Sequence, residues 1–108
     1  MKARAATNST QGQMISSDYA ILANATSGAF TVTLPAADTP GACNGMIVFV
    51  KKTDNSTNAV TVAAATGDSI ESAGSKTLTK QYDALQLISN GVHVWFVLTS
   101  SIGGAIAT

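Results

Sequence analysis

An all-β fold, a compact antiparallel β-sandwich or small β-barrel, is what this sequence predicts, on three observations. Six short segments between Asp18 and Thr99 alternate apolar and small polar residues with a period of two. Gly, Asn, Asp or Ser residues close each of them. No stretch sustains the helical period of apolar residues. Short, evenly spaced strands of this kind build sandwiches and small barrels.

The elements follow in order. Residues 1–14 are polar, small and aperiodic, and read as a flexible N-terminal arm; 15–99 read as the β domain and 100–108 as a flexible tail. Asp18–Asn24 alternates Tyr19, Ile21 and Ala23 against Ala20 and Leu22, and Ser27-Gly28 breaks it. Ala29–Leu34 sets Phe30, Val32 and Leu34 on one face and two threonines on the other, a half-buried strand. Pro35 ends it, because proline cannot donate to a ladder. Pro40, Gly41 and Gly45 make 36–45 a loop. Met46–Lys51 is apolar on both faces and reads as a central strand covered on both sides, with Lys51-Lys52 its solvated end. Ala59–Ala64 is a short strand, Ile70 an inward anchor, and Thr77–Thr79 an edge strand around Leu78. Ala84–Ser89 and Val92–Thr99 flank Asn90-Gly91, whose tolerance of positive φ makes it the strongest hairpin signal in the chain.

Composition narrows the function. Charged residues are 11% of the chain, well below the roughly 25% of ordinary soluble domains. Ala, Thr, Ser, Asn and Val fill the deficit, and six basic residues balance six acidic ones. No basic stripe exists to displace counterions from a nucleic acid. The longest apolar run, Met46–Val50, is too short to span a membrane as a helix, and Met1–Gln13 lacks the apolar region of a signal peptide. Cys43 is the single cysteine, so no internal disulfide forms, which fits synthesis in a reducing cytoplasm. The Asn-x-Ser/Thr patterns at Asn8, Asn24 and Asn55 are products of an Asn/Thr/Ser-rich composition.

Tests for chemistry give no catalytic residue, no metal site and no cofactor. The single histidine, His93, reads as a strand residue sharing a face with Trp95 and Val97. Gly67-Asp68-Ser69-Ile70-Glu71 opens like a nucleophile elbow but lacks its closing glycine. Asp68 and Glu71 read as solvated turn carboxylates. Asp54, Ser56 and Asn58 match the first three positions of a calcium loop, but Ala59 and Ala65 replace its glycine and bidentate glutamate. Tight Asx turns explain that cluster better.

A resemblance supplies what composition does not. Phe30-Thr31-Val32-Thr33-Leu34-Pro35-Ala36-Ala37, then Ile47–Asp54, Asn58–Val62 and Thr66–Glu71, are followed by Leu78, Gln81–Gly91 and Val94-Trp95. Together they resemble the small β modules of tailed-phage virion proteins, found in capsid decoration proteins, head fibres and tail fibres, often as trimers. The likeness runs roughly from Tyr19 to Thr99; members often carry Gly shortly after the turn acid, where this chain has Ser72 after Glu71. It implies a non-enzymatic capsid decoration (cement) protein at the virion surface, a homotrimer bound to the major capsid protein. The chain reads as one module with two free ends and no fibre shaft, which favours that role. The expected partner contacts are Met1, Lys2 and Arg4 in the arm, Ile102 and Ile106 in the tail, and the aromatics Tyr82 and Trp95. The alternative is a fibre module that binds a receptor or carbohydrate through exposed Trp95 and Tyr82.

Overall fold

Alternation of β-branched and small residues produces strands throughout the chain. The computed structural model describes residues 2–15, 18–38, 45–102 and 105–107, with side chains for 3–15, 18–38 and 45–101. The described residues contain no helix and form strands β1 (Lys2–Ala6), β2 (Asp18–Ala23), β3 (Phe30–Thr33), β4 (Ile47–Lys52) and β5 (Val60–Ala63). β6 (Ser69–Ile70), β7 (Ser75–Leu78), β8 (Ala84–Ser89), β9 (Val94–Ile102) and β10 (Ala105–Ala107) follow. The large sheet runs β1-β2-β4-β8-β9-β10, with β6 also alongside β9, and the small sheet runs β3-β5-β7. Met1, Pro40, Gly41 and Cys43 lie outside the described residues.

The fold is all-β, but its sheets are mixed and not antiparallel throughout. β1 with β2, β2 with β4, β3 with β5, and β6 with β9 pair in parallel. The cause is the path of the chain: β3 crosses to the small sheet before β4 returns beside β2. A strand that leaves and comes back through a crossover aligns in parallel with the one it left. β4 separates β3 from β5 in the same way.

β1 lies within residues 1–14, read from the sequence as an arm, and β10 within 100–108, read as a tail. β1 lies along β2, and the Arg4 guanidinium grips both oxygens of Asp18 at 3.1 Å. Residues 7–15 then border β3: Thr33 N–H donates to Gly12 O, Met14 N–H to Thr33 O, and Thr31 N–H to the Ser9 hydroxyl. Met14 is buried there. At the other end β10 folds back onto Ser100–Ile102. Such segments carry little apolar periodicity, and their strands pair at the edges of the large sheet.

One apolar cluster joins the sheets. Phe30 and Val32, Val60 and Val62, and Leu78 come from the small sheet; Ile21, Val48, Val50, Leu87 and Trp95 come from the large one. Trp95 is fully buried, and its indole N–H donates to Pro35 O at 3.2 Å. The β8–β9 hairpin forms, but with a wider turn than Asn90-Gly91 alone. Asn90 Oδ1 accepts both Val92 and Val94 N–H, so the side chain replaces ladder bonds and β9 starts only at Val94.

Gly12 is where the 7–15 segment meets β3 most closely. A Cβ there would stand 2.5 Å from Thr31 O, whereas one on Gly74 would meet nothing within 4 Å. Gly12→Ala is expected to cost about 1–3 kcal/mol through overpacking. Gly74→Ala should be neutral or stabilising by up to ~1 kcal/mol. Urea denaturation of the two variants checks this, and equal stability would place the 7–15 segment away from β3.

Candidate interaction face

The polar side chains of the Gly67–Glu71 turn and His93 hold loops together. His93 is exposed in the β8–β9 turn, outside the strand expected to hold it, and its Nδ1 lies 3.1 Å from Asp68 Oδ1. Asp68, expected to be solvated, is buried at its carboxylate, and its second oxygen accepts Ala37 N–H at 2.8 Å. Ser69 donates its hydroxyl to Glu71 O. Glu71 is exposed at φ 55° and accepts the Val97 N–H. These contacts tie the 34–38 loop and the β6 turn to β9. Among the described residues no group of three His, Cys, Asp or Glu stands ready for a metal ion.

The Asp54 cluster is likewise structural. Lys52, expected at a solvated strand end, is fully buried, and its ammonium sits 2.8 Å from Asp54 Oδ2. Asp54 also accepts the Ala25 N–H at 2.8 Å, the Ser56 N–H at 3.1 Å and the Ser56 hydroxyl. Burial pushes this carboxyl up, but the Lys52 ammonium, the Ser56 hydroxyl and the two N–H groups together hold it well below the usual carboxylate range. A carboxylate ringed by donors is no calcium ligand. The signal was present in the sequence: period two puts Lys52 on the inward face with Val48 and Val50.

The surface feature with functional weight is the outward face of β2, β4, β8 and β9. Strand register places Leu22, Phe49, Ile47, Ile88 and Phe96 on it. Leu22 and Phe96 are 40% and 45% exposed, far more open than core residues, so β4 is covered on one side only. This corrects the expectation of a strand buried on both faces. A bulge between Gln86 and Leu87 opposes Gln86 to Thr99, leaving Leu98 unpaired and protruding at 40% exposure. Beside it lies a hollow of about 110 Å³ lined mainly by Phe49, Ala84, Gln86, Thr99 and Ser101. Tyr19 packs edge-on against Phe49, with ring centres 5.1 Å apart. The outward residues of these four strands include one charged side chain, Lys51, and its ammonium lies 5.5 Å from the Tyr82 ring centre.

The expected contact residues divide. Trp95 is inside and offers no surface. Arg4 is spent on Asp18 and on the carbonyls of Gln11 and Gln13. Tyr82 is 58% exposed in a turn at φ 69°, held by its N–H bond to Lys52 O. Lys2 and Ile102 belong to β1 and β9, and Ile106 to β10. The sequence matches no protein-family model and no curated protein.

The buried ion pair gives a pH prediction. The folded pKa of Asp54 lies below its unfolded value near 4, so its contribution is complete above about pH 4 and is lost as pH falls below it. Asp54→Asn leaves the Lys52 ammonium without its counter-charge and is expected to cost about 3–5 kcal/mol at pH 7. The deficit should shrink at acid pH. Urea denaturation across pH tests it, and a pH-independent deficit would contradict the assignment.

Proposed function

We propose that this chain is a non-enzymatic structural protein of a tailed-phage particle: a capsid decoration protein, assembled as a homotrimer on the major capsid protein. It is made in the host cytoplasm and resides on the capsid surface. In this reading the two sheets stack as the layers of a sandwich, and no nucleic acid, membrane or cofactor takes part. The observation that carries it is the half-exposed apolar face of the large sheet, of a kind associated with protein contacts. The resemblance of the Leu34-Pro35 exit, the Gly67–Ile70 turn and the hairpin before Trp95 supports the same reading. Six basic residues balance six acidic ones in the chain, a charge balance suited to dense packing. A partner that binds only the assembled shell stabilises it by mass action.

The exposed Tyr82 favours a second reading, a fibre module that binds carbohydrate, because an open aromatic ring stacks on sugars. Burial of Trp95 removes half of the aromatic platform that reading needs. Counting this chain against the major capsid protein in purified particles tests the proposal. Hundreds of copies are expected; a handful would move the chain to a fibre, and none would overturn the virion reading.

A further inference from the structure

We propose that Asn90-Gly91 is a self-modification site held shut by the fold, where the chain converts Asn90 to aspartate or isoaspartate once the β8–β9 turn opens. Water is the only co-reactant. The Gly91 main-chain nitrogen attacks the Asn90 side-chain carbon Cγ, and the new C–N bond closes a succinimide ring. The Asn90 amide nitrogen departs as ammonia, taking the Gly91 N–H proton with it. Water then opens the ring at one carbonyl or the other, leaving aspartate or its backbone-lengthened isomer. Glycine after the asparagine favours closure, because no Cβ crowds the attacking nitrogen. The chain carries this dipeptide twice, at Asn44-Gly45 and at Asn90-Gly91.

At Asn90-Gly91 both reacting groups are occupied. Gly91 N–H donates to the Ser89 hydroxyl oxygen at 3.0 Å, so the attacking nitrogen is engaged away from Asn90. That hydroxyl is itself fixed: Ser89 is buried, and it donates to Ala37 O at 3.0 Å. Asn90 Oδ1 accepts Val92 N–H at 2.9 Å and Val94 N–H at 3.1 Å, while Asn90 N–H donates to Val94 O at 3.0 Å. Ring closure turns the carboxamide towards Gly91 and takes Oδ1 off both N–H groups. A side chain that replaces ladder bonds in this way cannot react without giving them up. The share of chains with the turn open therefore sets the rate of conversion.

The two products leave different structures behind. Aspartate keeps an oxygen in the place of Asn90 Oδ1, able to accept the same N–H groups. Isoaspartate routes the main chain through the former side chain and adds a methylene before Gly91. The added length moves β9 out of its register with β8. Trp95, whose indole holds Pro35 O, stands one residue into β9. Isoaspartate thus makes a passing opening of the hairpin permanent. The inference stands apart from the virion reading, since it rests on this turn alone.

Mass spectrometry of tryptic fragments tests it on the whole chain, incubated folded in neutral buffer and unfolded in urea. Cleavage after lysine separates the two dipeptides, since Asn44 precedes Lys51 and Asn90 follows Lys80. In urea the Asn90 fragment is expected to convert, with the Asn44 fragment as the internal reference. In the folded chain Asn90 should convert at least tenfold more slowly, and its rate should climb with urea below the unfolding midpoint. Ser89→Ala frees the Gly91 N–H and should raise the folded rate at least threefold while leaving the unfolded rate unchanged. Should that variant fail to fold, the urea dependence of the wild type decides alone. Equal folded and unfolded rates overturn the inference, as does a folded Ser89→Ala chain that converts no faster than the wild type. A folded rate above the unfolded one also overturns it, making the two N–H groups on Oδ1 promoters of closure. So does an Asn90 that stays intact in urea.

Discussion

A buried ammonium needs a counter-charge, and in this protein that need organises one whole end of the molecule. Lys52 points inward from β4 because the strand's parity gives it no choice, and Asp54 folds back two residues later to neutralise it. The carboxylate then has lone pairs left over, which collect Ala25 N–H from the β2–β3 turn and Ser56 N–H from its own loop. Ser56 and Asn58 in turn donate to Ala25 O, and Tyr82 N–H donates to Lys52 O. Two loops are thereby fixed to the charge pair, and a third is bonded to the Lys52 main chain. Replacing such a pair with apolar residues is often harmless to stability; breaking one half of it is not.

That arrangement accounts for how a chain with few aromatics and small strands positions a broad sheet. Ionic and Asx contacts hold the loops, and the apolar residues are left to two tasks. Val, Leu and the single Trp fill the space between the sheets, while Phe49, Phe96, Leu98 and Leu22 line the side facing away. The chain thus spends large apolar side chains on a surface its own fold does not cover.

Much of the strand content is legible in the sequence. Phe30, Val32 and Leu34 alternate against threonines, and all three are buried; Ile70 and Leu78 anchor where their spacing puts them. Three features were not legible, each for a local reason. β9 is apolar on both faces, so alternation cannot say whether Trp95 or Phe96 turns inward; the indole's bond to Pro35 O, sixty residues away in sequence, accompanies the inward choice. β4 has the same ambiguity, and an uncovered face reads like a covered one. The terminal strands carry almost no apolar signal, because their order comes from edge pairing and from the grip of Arg4 on Asp18. Parallel pairing is likewise a property of the chain's path between sheets, which no local pattern records.

Amide hydrogen exchange at neutral pH tests the central claim, that the Lys52–Asp54 pair locks this end of the fold. The Ala25 and Ser56 N–H groups sit in loops yet donate to a buried carboxylate, so they should exchange as slowly as the ladder amides of Val48 and Val50. Exchange of either at the rate of an open loop would contradict the account.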